Sequence, residues 1–121
     1  MTVGHIEVQA EGGIAVLVLH GEHDLSTAPE VRAAVDEALA ARGDVIVDLS
    51  PTEFIDSSIL GVLVAGYRSA GEEPNAGRTF AVVAQPDGPV TRLFELVAIS
   101  DLIPVYATRA AALAAVNGTS G

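Results

Sequence analysis

The residues of this chain best placed to do chemistry are two adjacent serines, Ser57 and Ser58, which follow Asp56 and precede an apolar run. An Asp-Ser-Ser sequence in this position is typical of the start of a helix. A serine hydroxyl there can carry a phosphoryl group, because the first-turn amides and the helix dipole favour an anion. At about 100° per residue, Ser58 is expected to face solvent. Ser57 is expected nearer the buried side, where its hydroxyl can cap the helix.

The helix that follows these serines predicts a contact surface. A phosphoryl group on Ser58 would add about −1.5 to −2 charges beside Asp56 and the acidic residues Glu22 and Asp24. A docked partner would have to desolvate that charge, at roughly a hundredfold cost in affinity. The same serines can also be explained as a plain helix N-cap. Their spacing alone does not decide between a cap and a phosphorylation switch. The phase predicts a small, mostly apolar outward stripe of Val62, Ala65 and Ser69, and a buried face of Leu60, Leu63, Val64 and Tyr67.

Other chemistries are weaker. Of the three histidines, His20 and His23 are close in sequence but have no third ligand at a metal-binding spacing, so His5, His20 and His23 are interpreted as surface residues. A Ser-His-Asp hydrolase lacks a Gly-x-Ser-x-Gly elbow and an oxyanion pocket. Asp48 ends an apolar strand, as the phosphoacceptor of a receiver domain does, but the chain has no lysine to hold a phosphoryl group. Asp48 is therefore expected to accept backbone amides in the turn that follows.

The elements that must position these residues alternate between strands and helices. Strands are predicted near 5–10, 14–19, 45–49, 79–84 and 105–107, with a first hairpin and a loop at 50–53. Helices are predicted from a Thr27–Glu30 capping box to Gly43, from about 56 to 70, from 88 to 97 and from 109 to 116. Residues 71–77 form a turn and 117–121 a flexible polar tail, leaving one domain over 1–116. This order implies a mostly parallel sheet with helices packed on it.

Composition narrows the classes of function. The 121 residues carry 16 acidic and 6 basic side chains, for a net charge of −10, so direct binding to nucleic acid is not expected. There is no cysteine, which excludes disulfides and thiolate chemistry. No run is apolar enough to insert into a membrane, and the N-terminus lacks a signal-peptide pattern. The expectation is an acidic cytoplasmic domain with no cofactor and no metal.

Three stretches together resemble the STAS-domain anti-sigma factor antagonists. The most specific is 48–62, which contains Asp-Leu-Ser, then Phe-Ile-Asp-Ser-Ser, then Leu-Gly-Val. Gly21-Glu22-His23-Asp24 is similar to the family's first loop, and 90–106 to its C-terminal segment. The resemblance runs from about residue 5 to 116. It implies an α/β fold with a mixed four- to five-stranded sheet and about four helices, packed mainly on one side.

The resemblance also implies a function that is not enzymatic. Ser58 would be phosphorylated by an anti-sigma factor acting as a serine kinase, and a serine phosphatase would reverse the modification. The unphosphorylated protein would bind the kinase and release its sigma factor, which regulates transcription by partner switching. Asp24, Asp56 and Ser57 would shape the binding surface.

One departure from the family pattern lies beside the acceptor, where Ile59 stands in place of a common glycine. Its bulk is expected either to narrow the kinase's approach or to fill a partner pocket, so partner binding is assigned to 56–59 with Asp24, Val62 and Ala65. Two other functions remain open: a STAS module of a transporter or stress-signalling complex, and a small-ligand or nucleotide binder.

Overall fold

Single strands or pairs of strands alternate with helices through the described part of this chain. The computed structural model describes residues 4–41, 43–72 and 77–120. Within these ranges the elements are β1 (His5–Glu11), β2 (Ile14–His23), α1 (Ala28–Ala41), β3 (Val45–Asp48), β4 (Thr52–Ile55), α2 (Ser57–Ala70), β5 (Phe80–Val83), α3 (Pro89–Leu96), a 3₁₀ turn (Ile99–Asp101), β6 (Val105–Tyr106) and α4 (Arg109–Ser120). Residues 73–76 of the predicted turn lie outside the described residues.

The sheet is mixed, as expected, and has six strands in the described part of the chain. Its order is β1-β2-β3-β5-β6, with β4 pairing to β2 off this path. The predicted hairpin is confirmed: β1 and β2 are antiparallel, with His5 opposite His20 and Glu11 opposite Ile14. Every other pairing is parallel. No helix in the described ranges is long and apolar enough to span a bilayer.

The prediction of a loop over 50–53 is wrong, because Thr52 begins β4, the one strand of the six that the sequence did not predict. The first half of β2 pairs with β3, and its second half, from Gly21 onward, pairs with β4. The register shifts after Gly21, whose φ of +81° is readily available to glycine at a bulge. The buried Thr52 hydroxyl donates to the carbonyl of Leu19 at 2.6 Å. The sequence did not predict this short strand, because Pro51 and the polar residues beside it interrupt the hydropathy pattern.

The two faces of the sheet bury separate cores. The larger core packs one face against α1, α2 and α3, through residues such as Val35, Leu63 and Phe94. The smaller core packs the other face against α4, through Ala112 and Val116. Three of the four α-helices therefore lie on one side, which confirms the expectation that the helices pack mainly on one side.

The phase of α2 differs from the prediction. Leu60 and Leu63 are buried as expected, but Tyr67 is 40% exposed. The helix also buries Gly66, where an added Cβ would lie 2.8 Å from the Phe80 ring and 3.0 Å from Val35. Because α2 packs against both the sheet and α1, its buried arc is wider than one stripe. Glycine contributes little to a hydrophobic pattern, so the sequence did not indicate that Gly66 packs against Phe80 and Val35.

A buried ion pair ties α4 to the sheet. Asp48 is 3% exposed, and one of its carboxylate oxygens lies 3.0 Å from both Nε and Nη2 of Arg109. The other oxygen accepts the amide of Ser50 at 2.9 Å, as the sequence predicts. Arg109 also donates to Gln9 at 2.7 Å. Burial opposes the charge on Arg109, but the hydrogen bonds and charges of Asp48 and Glu11 together outweigh it and raise the guanidinium pKa.

Replacing this arginine should destabilise the fold. We expect Arg109→Met to lower the free energy of unfolding by about 3 kcal/mol, because Asp48 would stay buried without a cation. Urea denaturation measures the change. Adding Asp48→Asn should recover part of the loss, since the unpaired charge is removed. The control is Arg32→Met, whose exposed pair with Asp36 spans 3.9 Å and should matter by less than about 0.5 kcal/mol. Equal effects at the two arginines would contradict this account.

Candidate functional site

Two carboxylates meet at the site because neighbouring parallel strands end side by side. Asp24 directly follows β2, and Asp56 directly follows β4. The last residues of these strands, His23 and Ile55, are paired in register. The carboxyl ends of parallel strands share one edge of a sheet, which is where functional loops gather in α/β folds. Asp24, Asp56 and the start of α2 therefore belong to one surface.

Asp56 is the N-cap of α2 and connects it to the loop after β2. One carboxylate oxygen accepts the amides of Ser58 at 2.9 Å and of Ile59 at 3.4 Å. The other accepts the amide of Leu25 at 3.2 Å. The cap is therefore the Asp56 side chain. The prediction that the Ser57 hydroxyl caps the helix is wrong. A single carboxylate positions both the serine-bearing turn and the neighbouring loop.

The loop from Asp24 to Thr27 is ordered by its own hydrogen bonds. The Asp24 carboxylate accepts the Ser26 hydroxyl at 2.5 Å and the Ser26 amide at 2.9 Å. These bonds lower the pKa of Asp24, so it is ionised at neutral pH. The hydroxyl of Thr27 accepts the Asp24 amide at 3.0 Å. The predicted capping box with Glu30 does not form, because Thr27 is engaged with Asp24 instead.

His23 supports this loop from inside the protein. It is 1% exposed, so its interpretation as a surface residue is wrong. Its Nε2 donates to the carbonyl of His20 at 3.0 Å, and its Nδ1 lies 3.1 Å from the Thr27 hydroxyl. Both ring nitrogens are occupied, so His23 is not positioned as a base for Ser58. The pattern of β2 ending in a loop gave no sign of this burial.

The other two histidines stack on each other, away from the site. The rings of His5 and His20 are 4.5 Å apart and nearly parallel, and His20 Nε2 lies 2.9 Å from a Glu7 oxygen. Among the described residues, no group of three or more His, Asp or Glu side chains could hold a metal ion. The histidines therefore have structural contacts of their own.

The Ser58 hydroxyl has access to water, although Ser58 is the less exposed of the two serines. Ser57 is exposed and Ser58 partly buried, so the prediction that Ser58 faces solvent and Ser57 the buried side has the order reversed. No buried side-chain oxygen in the described residues lacks a partner, and no hydrogen bond involves the Ser58 hydroxyl, so that oxygen reaches water. The amides of Ser58 and Ile59 are already taken by Asp56. They are therefore not free to bind a phosphoryl group, which corrects the expectation drawn from the helix terminus.

The predicted outward stripe of Val62, Ala65 and Ser69 is wrong at Val62. Val62 is 8% exposed and Ile59 is 0% exposed, and both lie in the main core. Ile59 therefore neither narrows the approach to Ser58 nor fills a partner pocket. The helix phase inferred from the sequence placed Val62 on the outward side of α2, and Ile59 was assigned to partner binding because it stands next to Ser58.

The surface beside Ser58 is instead formed by α2 and the segment after α3. Gly61 is exposed and Ala65 partly buried. Both line a cavity of about 350 Å³ with Val97 and Leu102, which are 44% and 53% exposed. We call these four residues the α2 flank.

Two further apolar residues near the site were missed in the sequence. Leu25 is 73% exposed at the tip of the loop held by Asp56, and Phe54 is 49% exposed on β4. Leu25 stands between Asp24 and Ser26 in an otherwise polar stretch, which was an available signal. The exposure of Phe54 could not be read from the sequence, because burial along β4 does not alternate and both Glu53 and Phe54 are exposed.

Comparison with known proteins places this geometry in context. The sequence model of the STAS domain matches residues 5–112. The chain is 31% identical over 103 residues to an anti-sigma F factor antagonist of Paenibacillus polymyxa, covering 84% of this chain and 85% of that protein. It is 33% identical over 115 residues to an anti-sigma-F factor antagonist of Mycobacterium tuberculosis, covering 93% and 89%.

A solved structure agrees with these sequence matches. The crystal structure of an anti-sigma factor antagonist from Mycobacterium paratuberculosis superposes with a TM-score of 0.83 at 32% identity. The match covers 95% of each chain. The likeness therefore includes the strands, the helices and the loops that carry the site.

The Asp56 cap generates a direct test. We expect Asp56→Ala to lower the free energy of unfolding by about 1 kcal/mol, because the helix loses its capping acceptor. The Leu25 amide should shift in ¹H–¹⁵N spectra, since it loses the same carboxylate. Asp56→Asn should retain most of the stability, and Asp36→Ala on the exposed face of α1 is the control. Unchanged stability and an unchanged Leu25 resonance would show that the cap does not hold the loop.

Proposed function

The chain belongs to the STAS domain family, and from that membership we propose that it is an anti-sigma factor antagonist. In this proposal it binds an anti-sigma factor that is also a serine kinase, and phosphorylation of Ser58 ends the binding. A serine phosphatase restores the binding form. The protein acts by association and not by catalysis, and it affects transcription through its partner, without contacting nucleic acid.

The observation that carries this proposal is the solvent-open Ser58 hydroxyl beside an exposed apolar surface. The two relatives named as anti-sigma F factor antagonists support the partner class, at 31% and 33% identity. The docking surface we propose combines Ser57, Ser58 and the α2 flank, with Asp24 and Asp56 at its acidic border. Leu25 adds an apolar side chain that is 73% exposed at the same border.

Electrostatics supply the switch in this proposal. A phosphoryl group on Ser58 adds about −1.5 to −2 charges next to the ionised Asp24 and the capping Asp56. Because Asp56 already accepts the Ser58 and Ile59 amides, these two donors are not free to bind the new charge. The phosphoryl group therefore stays largely hydrated or competes with Asp56, and displacement of Asp56 would release the Leu25 amide. Either result opposes docking of an apolar partner surface.

The side-chain oxygen of Ser58 is the group to test. We expect a cognate anti-sigma kinase with ATP to label the wild-type chain and Ser57→Ala, but not Ser58→Ala. Ser58→Asp should bind the kinase roughly 100-fold more weakly than wild type, measured by calorimetry, while Ser58→Ala should bind normally. Tryptic mass spectrometry locates the label. Label on Ser57 or Thr52, or equal affinity of the Asp and Ala variants, would contradict the assignment.

The α2 flank is tested separately at Gly61. A Cβ added there meets nothing within 4 Å, so Gly61→Gln should fold and should gain about 0.5 kcal/mol from helix propensity. Its side chain would project into the docking surface, and affinity for the kinase should fall at least tenfold. Ala114→Gln, an exposed change on α4, is the matched control. A stable Gly61→Gln that binds like wild type would place the partner elsewhere.

A further inference from the structure

A second cavity lies at the other end of α2 from Ser58. Its volume is about 520 Å³, within the range of small-ligand sites. It lies between the last turn of α2, the start of β5, the short strand β6 and α4. Its first lining residue on α2, Tyr67, lies nine residues after Ser58, about 14 Å along the helix. Its charged and aromatic lining includes Tyr67, Arg68, Arg78, Phe80 and Tyr106.

The cavity lies where the pairing of β5 with β6 begins, beside Pro104, whose carbonyl accepts the Val82 amide at 3.0 Å. The pairing of β6 with β5 covers only Val82 and Val83. The edge of β5 beside Phe80 and Ala81 faces Pro104, which has no amide to donate to a ladder. The sheet therefore stops early on this side. The space that a longer β6 would fill stays open between α2 and α4.

Two arginines line the cavity without an acidic partner among the described residues. Arg68 and Arg78 are both exposed, and the Arg78 side chain also lies against Gly43. Neither has an Asp or Glu oxygen within 4 Å in the described part of the chain. Of the described residues, Glu72 is the single acidic one in the lining. In a chain of net charge −10, two guanidinium groups without a carboxylate partner in these ranges favour an anion, which they can hold through paired N–H donors.

The cavity also has aromatic walls. Tyr67 and Tyr106 are the two tyrosines of the whole chain, and both line it. The ring of Phe80, 1% exposed, forms its floor. Tyrosine offers a ring face for stacking and a hydroxyl for hydrogen bonding. This combination fits a flat ring attached to an acidic group.

We propose that this cavity binds a small aromatic anion, such as an aryl carboxylate or an aryl phosphate. The guanidinium groups of Arg68 and Arg78 hold the acidic group, and Tyr67 and Tyr106 contact the ring. The site does not include Ser58, although Arg68 also lines the cavity at the α2 flank, and the proposal does not depend on the anti-sigma factor assignment.

The test is a ¹H–¹⁵N NMR titration of the full chain with phenyl phosphate. We expect saturable shifts at Ala81 and Tyr106, with a Kd of roughly 1 mM, and no shifts at Leu25 or Ser58. The double variant Arg68→Gln/Arg78→Gln should bind about tenfold more weakly, because it loses charge-assisted hydrogen bonds. Arg92→Gln, on α3, is the matched control and should bind normally. Arg68→Gln alone changes one exposed helix residue and keeps the test valid if the double variant fails to fold.

The comparison ligands decide the chemistry. Inorganic phosphate supplies the anion without the ring, and benzyl alcohol supplies a ring without the charge. Each should bind at least about tenfold more weakly than phenyl phosphate. The proposal is overturned if phenyl phosphate gives no saturable shifts, if its shifts map to Ser58, if inorganic phosphate binds equally well, or if the arginine variants bind like wild type.

Discussion

The candidate site depends on one carboxylate that satisfies two elements at once. Asp56 accepts amides from the first turn of α2 through one oxygen and the amide of Leu25 through the other. Helix N-termini need acceptors for their unpaired amides, and loops between strands and helices need an anchor. Because one side chain meets both needs, the positions of Ser58 and of the loop carrying Asp24 are set together. A change in the charge near Asp56 therefore acts on both.

The architecture below this carboxylate explains why it lies where it does. The long strand β2 pairs first with β3 and then with β4, so β4 continues the line of β3 after a break at 49–51. The bulge at Gly21 and the hydrogen bond from Thr52 to Leu19 fix that second pairing. The result is that β2 and β4 end together. Two acidic residues far apart in the sequence become neighbours through strand register.

Local patterns predicted most of the fold but not the contacts between elements. The four α-helices and the five strands other than β4 follow periodicities and turn residues that act over a few positions. The short strand β4 was missed because its stability comes from pairing with β2, and not from its own hydropathy. The phase of α2 was missed because Gly66 packs against both Phe80 and Val35, a contact that depends on two distant elements.

The site was predicted in part for the same reason. Asp24, Asp56 and the serines were recognised from their types and order, and the resemblance supplied their expected roles. The sequence could not predict the burial of Ile59 and Val62, because it depends on packing in the core that α2 shares with α1. The burial of His23 depends on the loop that follows β2. The apolar surface from Val97 and Leu102 lies more than thirty residues from the serines, so only the fold brings it beside them.

Gly61 has a consequence beyond its own helix. It lies on the proposed docking surface, yet an added Cβ there would touch nothing in the chain. Discrimination between similar binding partners often depends on a few side chains that create a fit or a clash. At this position such a side chain could be gained or lost without disturbing the core. Evolution can thus insulate one signalling pair from related pairs in the same cell by changing a residue on which folding does not depend.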